Sequence, residues 1–192
     1  MLQIAEKKGL ITPIYFQLDH GGPWLKEDHI IKNHSYIEAR DDFIGSLEAF
    51  IKAGFNIIHI DATIDLESQD EYADVKTASN RTVQLMLYAR ELAIKYDVNL
   101  EFEIGSDRWG YKAPVVIEEF IANTMSGFKR HGIDLSKVIF VVAGVGTSVK
   151  PGNHVNPLIV ETFSKLILKY NSYLKVHSGD YLENLEILPE YN

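Results

Sequence analysis

Histidine and carboxylate side chains occur together where two apolar segments end. Asp19 and His20 directly follow one such segment, and His177 follows another late in the chain. Imidazole and carboxylate groups bind divalent metals and transfer protons near neutral pH. Asp19 could instead cap a turn, and His20 could be an ordinary loop residue. Local spacing therefore leaves two interpretations open. These residues could act as a metal ligand or general base, or they could have a purely structural role.

Two further apolar segments carry polar residues at alternating positions. His59 and Asp61 are two residues apart, as are Glu101 and Glu103, so each pair faces one side of a strand. A lone histidine in an apolar strand is typical of a hydrogen-bonded core residue, which is our interpretation of His59, whereas Asp61 at the strand end is the better candidate for function. A buried Glu103 would need a cation or a basic group, because an unpaired buried carboxylate costs on the order of several kcal/mol.

Five short β-rich segments carry these residues, and four segments of helical periodicity separate them. The predicted strands are 13–18, 56–60, 98–104, 137–142 and 173–176, and the predicted helices are 42–53, 79–96, 114–131 and 157–170. Strands that alternate with helices indicate an α/β fold with a parallel sheet and right-handed crossovers. For the helix over 79–96, Ser79 is the predicted cap.

The carboxyl ends of parallel strands meet at one edge of a sheet, where α/β proteins bind their ligands. Four of the five predicted strand ends carry His, Asp or Glu: Asp19 with His20, Asp61, Glu103 with Asp107, and His177. Asp107 could also simply pair with its neighbour Arg108. Two imidazoles with one or two carboxylates suit Zn²⁺ or another divalent metal with an open position. The histidines at 29, 34, 131 and 154 are predicted to be solvated.

The composition is that of a folded protein. The 192 residues include 19 basic and 27 acidic side chains, a net charge of −8, and 46% are hydrophobic, which is typical of one globular domain and excludes a disordered or fibrous chain. No apolar run reaches the ~18 residues of a membrane span, and the N-terminus lacks a signal peptide, so we expect a cytoplasmic protein. The acidic balance argues against nucleic acid as a partner. Without cysteine, any metal must be held by His, Asp or Glu.

Four motifs between about residues 13 and 181 form a set. They are Leu18-Asp19-His20-Gly21, Ala53-Gly54-Phe55 leading to His59-Ile60-Asp61-Ala62, Glu101-Phe102-Glu103-Ile104-Gly105, and His177-Ser178-Gly179-Asp180-Tyr181. In order and spacing this set resembles the class II ketose-bisphosphate aldolase superfamily, most closely the Z-type (GatZ/KbaZ) subunits of tagatose-bisphosphate aldolase.

The resemblance implies a TIM-type (β/α)₈ barrel with a metal site at its C-terminal face. The chain would form one partial barrel domain over residues 1–192, with five β/α units that match strands 3 to 7. A closed barrel has typically ~250 residues, so we expect either a fragment or a dependence on another chain.

The resemblance also implies roles for individual residues, and it implies Zn²⁺ as the cofactor. His20 and His177 would be metal ligands, and Glu103 an acidic ligand or a group that supports one. Asp19 would be the catalytic acid/base, and Asp61 would orient the substrate or the metal ligands. Ser178, Gly179 and Asp180 would lie at the substrate, with the Ser178-Gly179 turn close to its phosphate.

The implied activity is that of a lyase in carbohydrate metabolism, which acts on a ketose or ketose phosphate through a metal-stabilised enediolate. Two alternatives stay open: a metal-dependent sugar epimerase, and a non-catalytic subunit that stabilises a separate aldolase chain. The second follows from the segment Val141-Val142-Ala143-Gly144, where the aldolases place a further metal-binding histidine. An aldolase subunit or a second copy of the chain is the expected protein partner.

Overall fold

Five parallel β strands form one sheet, in the order in which they occur in the sequence. A computed structural model describes residues 7–9, 15–109, 113–179 and 181–191. The strands are β1 (Gln17–Gly21), β2 (Ile57–Ile60), β3 (Glu101–Ser106), β4 (Val138–Ala143) and β5 (Tyr173–Lys175). Each pairs in parallel with the next. The predicted parallel α/β sheet is therefore confirmed, and the first residues of the predicted strand 13–18 lie outside the described residues.

Helices connect the strands and flank the sheet. They are α1 (Glu27–Ile31), α2 (Tyr36–Lys52), α3 (Val75–Tyr96), α4 (Pro114–Arg130) and α5 (Pro157–Leu168), with short 3₁₀ segments at Leu135–Lys137 and Leu185–Tyr191. The four long helices α2 to α5 each lie against the next one. All four predicted helices are present, and in the part of the chain that the structure describes no helix is long and apolar enough to cross a bilayer.

Two helices begin earlier than hydrophobic periodicity predicts, because polar caps set their first residues. Ser35 and Glu38 form a reciprocal capping box that begins α2 at Tyr36. Asp74, whose carboxylate accepts the backbone N–H of Thr77, begins α3 at Val75. The predicted cap Ser79 lies instead inside α3, where its hydroxyl donates to the Val75 carbonyl.

The hydrophobic core lies between the sheet and the long helices. Alternate residues of the strands, including Ile58, Phe102 and Val141, pack against buried helix residues such as Leu47 and Ile121. The residues between them face the other side of the sheet, since successive side chains of a strand alternate. The sequence therefore places the polar residues of β2 and β3 on the face opposite the helices, where they lie beside apolar residues such as Phe140 and Val142 of β4.

The sheet is curved so strongly that its two edge strands face each other. Lys175 of β5 donates from Nζ to Gln17 Oε1 of β1 at 2.7 Å, although three strands lie between them. In a flat sheet, four strand spacings would separate these strands by about 19 Å. The face that carries Gln17, Glu103 and Lys175 is thus concave, and side chains from distant strands meet across it.

One predicted solvated histidine is buried. His29 in α1 has no exposed surface, and its Nδ1 accepts the backbone N–H of Trp24 at 3.0 Å. Its Nε2 lies 2.8 Å from Asp42 Oδ2. The prediction was wrong because a five-residue helix is too short to give a periodic signal, and here the two isoleucines are exposed while the histidine packs inward.

Gly105 interrupts β3 at a position that no other residue can occupy without strain. Its φ is +97°, and a Cβ there would lie 2.3 Å from the Val142 carbonyl oxygen. We expect Gly105→Ala to lower the free energy of unfolding by at least about 2 kcal/mol, because both the backbone conformation and the close approach to β4 would be lost.

Urea unfolding measures this effect, and Gly45→Ala is the matched control. Gly45 lies on the exposed side of α2 with nothing near its Cβ position, so alanine should stabilise the helix there by roughly 0.5–1 kcal/mol. Equal or greater stability of the Gly105→Ala protein would contradict the assignment.

Candidate metal centre

Two imidazole rings from opposite edges of the sheet meet at its carboxyl end. His20 Nε2 lies 2.8 Å from His177 Nδ1. Both side chains are largely buried, with 16% and 9% of their surface exposed. These residues are 157 positions apart in the sequence, and the curvature of the sheet brings them together.

An irregular end of β1 points His20 into this site. The His20 backbone has a φ of +47°, a conformation that costs an L-residue about 1 kcal/mol or more. The following glycines permit the turn, because a Cβ on Gly22 would lie 1.9 Å from the Asp61 carbonyl oxygen. The His20 backbone N–H donates to His59 Nδ1 at 3.0 Å, which holds the strained residue in place.

Asp61 supports the His20 ring from behind. It has no exposed surface, and its Oδ2 lies 2.9 Å from His20 Nδ1 and accepts the Ser106 hydroxyl at 2.8 Å. The Thr63 hydroxyl donates to Oδ1 at 2.6 Å. Burial would raise the pKa of Asp61, but the hydrogen bond from His20, the charge of His59 and the two hydroxyls outweigh it and lower the pKa.

The ionised Asp61 therefore fixes the tautomer of His20. A carboxylate can only accept, so His20 Nδ1 carries a hydrogen, and in the neutral ring Nε2 presents its lone pair to His177. A carboxylate that holds the rear nitrogen of an imidazole is typical of metal-binding histidines.

Glu103 has the same relation to His177. It is fully buried, and its Oε1 lies 3.1 Å from His177 Nε2 and 3.3 Å from His59 Nδ1. Oε2 accepts Lys175 Nζ at 2.8 Å and also the Gln17 amide. Burial would raise the pKa of Glu103, but His177, His59 and Lys175 together lower it. Lys175 is the basic group that a buried Glu103 requires.

His59 lies between these groups. It is fully buried, its Nε2 lies 2.9 Å from the Gly105 carbonyl oxygen, and its ring centroid is 4.8 Å from that of His20. Its interpretation as a hydrogen-bonded core residue fits this burial but overlooks its place in the cluster. The alternation with Asp61 was the signal that could have found it.

Asp19 lies on the solvent side of the cluster. Its side chain is 62% exposed, and its Oδ1 lies 3.3 Å from His177 Nε2 and 3.6 Å from His59 Nδ1. The neighbouring His59 ring, followed by the charges of His177 and His20, lowers the pKa of Asp19 although partial burial opposes the shift. Asp19 is thus a carboxylate that is accessible to solvent and also lies next to the histidines.

Four of these side chains could hold a metal ion. Asp19, His20, His59 and His177 each offer one ligand atom, and the four atoms lie within 4.8 Å of one another. Nitrogen and oxygen donors of this kind suit Zn²⁺ and other divalent transition metals.

The other predicted site residues lie in the turn after β5. Ser178 has a φ of +59°, and both Ser178 and Gly179 are partly exposed beside His177. Asp180 lies outside the described residues. At the end of β4, Val142 and Ala143 are buried and apolar, so this strand end offers the cluster no ligand side chain.

Comparison with known proteins gives a likeness that concerns the fold. No protein-family model matches the chain, and no curated protein matches it either. A solved structure described as a probable tagatose 6-phosphate kinase from Sinorhizobium meliloti 1021 superposes with a TM-score of 0.73 over 94% of the chain, at 22% sequence identity. The chain spans about half of that protein, 46% of its length. At this identity the likeness shows a shared α/β fold.

The buried Asp61 network should be measurable as a dependence of stability on pH. We expect Asp61→Asn to lower the free energy of unfolding by about 2 kcal/mol at pH 7, because hydrogen bonds to a charged group are lost. A carboxylate with a lowered pKa stabilises the fold above its unfolded pKa of about 4, and that contribution disappears as the pH falls towards its folded pKa.

Urea unfolding at pH 7 and at pH 3 tests this expectation. The difference between the native protein and Asp61→Asn should shrink at pH 3, and the exposed Asp70→Asn should change stability by less than about 0.5 kcal/mol at either pH. A difference that stays constant between the two pH values would contradict the assignment of Asp61 as a buried carboxylate.

Proposed function

We propose that this protein is a metal-dependent lyase of the class II ketose-bisphosphate aldolase type, or part of one, which acts on a ketose or ketose phosphate. One observation carries the proposal: a nitrogen of each of two imidazoles faces the same point, and a buried carboxylate lies within hydrogen-bond distance of the other nitrogen of each ring. Core histidines do not need this arrangement, whereas metal ligands commonly have it.

The sheet supports a partial (β/α)₈ barrel as the scaffold, formed by the whole chain as one domain. Its strands follow in sequence order with a helix after each of the first four. The contact between Gln17 and Lys175 is what a barrel interior would give, because side chains of opposite strands fill it. Strands β1 to β5 would correspond to strands 3 to 7 of the complete barrel.

In this proposal the metal, with Zn²⁺ as the best candidate, is bound by His20 and His177. Glu103, predicted as an acidic ligand or its support, fits the second role, because one of its oxygens holds His177 and the other is neutralised by Lys175. Asp61 orients His20. When bound, the metal would polarise the substrate carbonyl and stabilise the enediolate.

Asp19 is the group that we propose for proton transfer. Its Oδ1 is close to His177, its side chain is open to solvent, and it has no hydroxyl or backbone donor that would immobilise it among the hydrogen bonds of the described residues. A carboxylate that is both near the reacting carbon and in contact with water can accept a proton and release it.

The turn after β5 is the proposed contact for the substrate phosphate. Ser178 has a left-handed backbone beside Gly179, and such turns can direct successive N–H groups at an anion. Asp180 would bind the same substrate. The solved structure of similar fold is named for tagatose 6-phosphate, which is a ketose phosphate and agrees with this class of substrate.

The apolar end of β4 favours one second candidate, a non-catalytic subunit that stabilises a separate aldolase chain or pairs with a second copy. Val142 and Ala143 leave the centre without a ligand from this strand. This role would appear as co-purification with a catalytic subunit, whose turnover the protein raises while it has none alone.

The metal-binding role of the two histidines can be tested by elemental analysis and turnover. The purified protein should bind one equivalent of Zn²⁺ and should cleave tagatose 1,6-bisphosphate or fructose 1,6-bisphosphate into triose phosphates. We expect His20→Ala and His177→Ala to lose the metal and to lower turnover at least about 1,000-fold, because several kcal/mol of transition-state stabilisation disappear.

Two further variants separate proton transfer from metal binding and provide a control. Asp19→Asn should keep the metal but lower kcat by about 100-fold or more, and the exposed His131→Ala should change neither. An epimerase would interconvert ketose phosphates and release no triose phosphate. A protein that binds no divalent metal, with turnover that both histidine variants leave unchanged, would refute the proposal.

A further inference from the structure

Asp107 faces the meeting point of the two imidazoles. It directly follows β3, and its side chain is 23% exposed. Its Oδ1 lies 3.3 Å from His20 Nε2 and its Oδ2 lies 3.7 Å from His177 Nδ1. These are the two ring nitrogens that lie 2.8 Å from each other. Three donor groups from β1, β3 and β5 therefore surround one point.

The separations within this triangle fit a single small cation. Ligand atoms at about 2.0–2.1 Å from a tetrahedral zinc ion are separated from one another by about 3.3 Å. The 2.8 Å between the two nitrogens, and the 3.3 and 3.7 Å from them to the two oxygens of the Asp107 carboxylate, lie on both sides of that value.

The carboxylates behind the rings determine which nitrogens face each other as acceptors. In the neutral rings, His20 Nδ1 directs its hydrogen towards Asp61 and His177 Nε2 directs its hydrogen towards Glu103, so the two opposing nitrogens bear lone pairs. The Asp107 carboxylate adds a third acceptor. Three acceptors that converge in this way repel one another unless they share a positive centre.

His59 and Asp19 are less suited to complete this triangle. Both nitrogens of His59 have backbone partners: Nδ1 accepts the His20 N–H, and Nε2 lies against the Gly105 carbonyl oxygen. Asp19 lies at the opposite edge of the His177 ring, next to Nε2.

We infer that Asp107 is the third protein ligand of the metal, together with His20 Nε2 and His177 Nδ1. The inference rests on the proposed metal centre and adds to it a ligand that the sequence analysis left open, either as one of the acidic residues at the strand ends or as a partner of Arg108. Two nitrogens and one carboxylate leave a fourth position of a tetrahedral ion free. The partial exposure of Asp107 and His20 places that position within reach of a substrate.

The test measures metal affinity directly and needs no turnover. The native protein, Asp107→Asn, Asp107→Glu and Asp70→Asn are stripped of metal and titrated with Zn²⁺ by calorimetry. Titration with Co²⁺ then reports the coordination through its visible absorption. Loss of a group that only supports a ligand costs about 10–100-fold in affinity. We expect Asp107→Asn to weaken Zn²⁺ binding by more than about 100-fold and to change the Co²⁺ spectrum.

The controls separate this inference from the proposed function. Asp70→Asn, at an exposed carboxylate, should bind as the native protein does. Asp107→Glu, which keeps a carboxylate, should recover most of the affinity and the spectrum, so a folding defect of the Asn variant would be recognised. Asp107→Asn binding within about 100-fold of the native protein would overturn the assignment of Asp107 but leave the metal centre standing. A native protein that binds neither Zn²⁺ nor Co²⁺ would overturn both.

Discussion

Two carboxylates that are buried on the concave face of the parallel sheet determine how the histidines of this site are oriented. Asp61 and Glu103 have no exposed surface, so they are tolerated only where donors and positive charge surround them. Hydroxyls and His20 surround Asp61, and Lys175 and His177 surround Glu103. The neutral rings of His20 and His177 each direct their N–H towards one of these carboxylates. The unprotonated nitrogens, His20 Nε2 and His177 Nδ1, then face each other.

The same constraint links the fold to the chemistry. His20 lies in β1 and His177 directly after β5, and their rings meet only because the sheet curves until its edges face each other. A flatter sheet would separate the two imidazoles and would leave Glu103 without Lys175. The strained backbone of His20 and the close packing of Gly22 against β2 also contribute, because they fix the direction in which the His20 side chain leaves β1.

Much of this arrangement could be predicted from sequence patterns, and the remainder depends on tertiary geometry. Alternation placed His59 with Asp61 on one side of their strand and Glu101 with Glu103 on one side of theirs, and strand ends rich in His, Asp and Glu indicated where function would lie. The caps Ser35 and Asp74 act outside the apolar repeat, so periodicity placed two helix starts too late. The compensation of Glu103 by Lys175 joins residues 72 positions apart and has no local signal. The position of Asp107 at a strand end could be predicted, but its contact with both imidazoles depends on the path of the chain after β3.

The shared fold of a larger solved protein is consistent with this site but does not define its chemistry, because function depends on the side chains at the strand ends. The chemistry therefore depends on whether a metal ion binds at the point where the rings of His20 and His177 meet. Crystals grown with Zn²⁺ and measured on both sides of the zinc absorption edge would test it most directly. We expect one anomalous peak about 2.1 Å from both His20 Nε2 and His177 Nδ1. Zinc bound elsewhere, with these two rings in direct contact and no ion between them, would contradict the account.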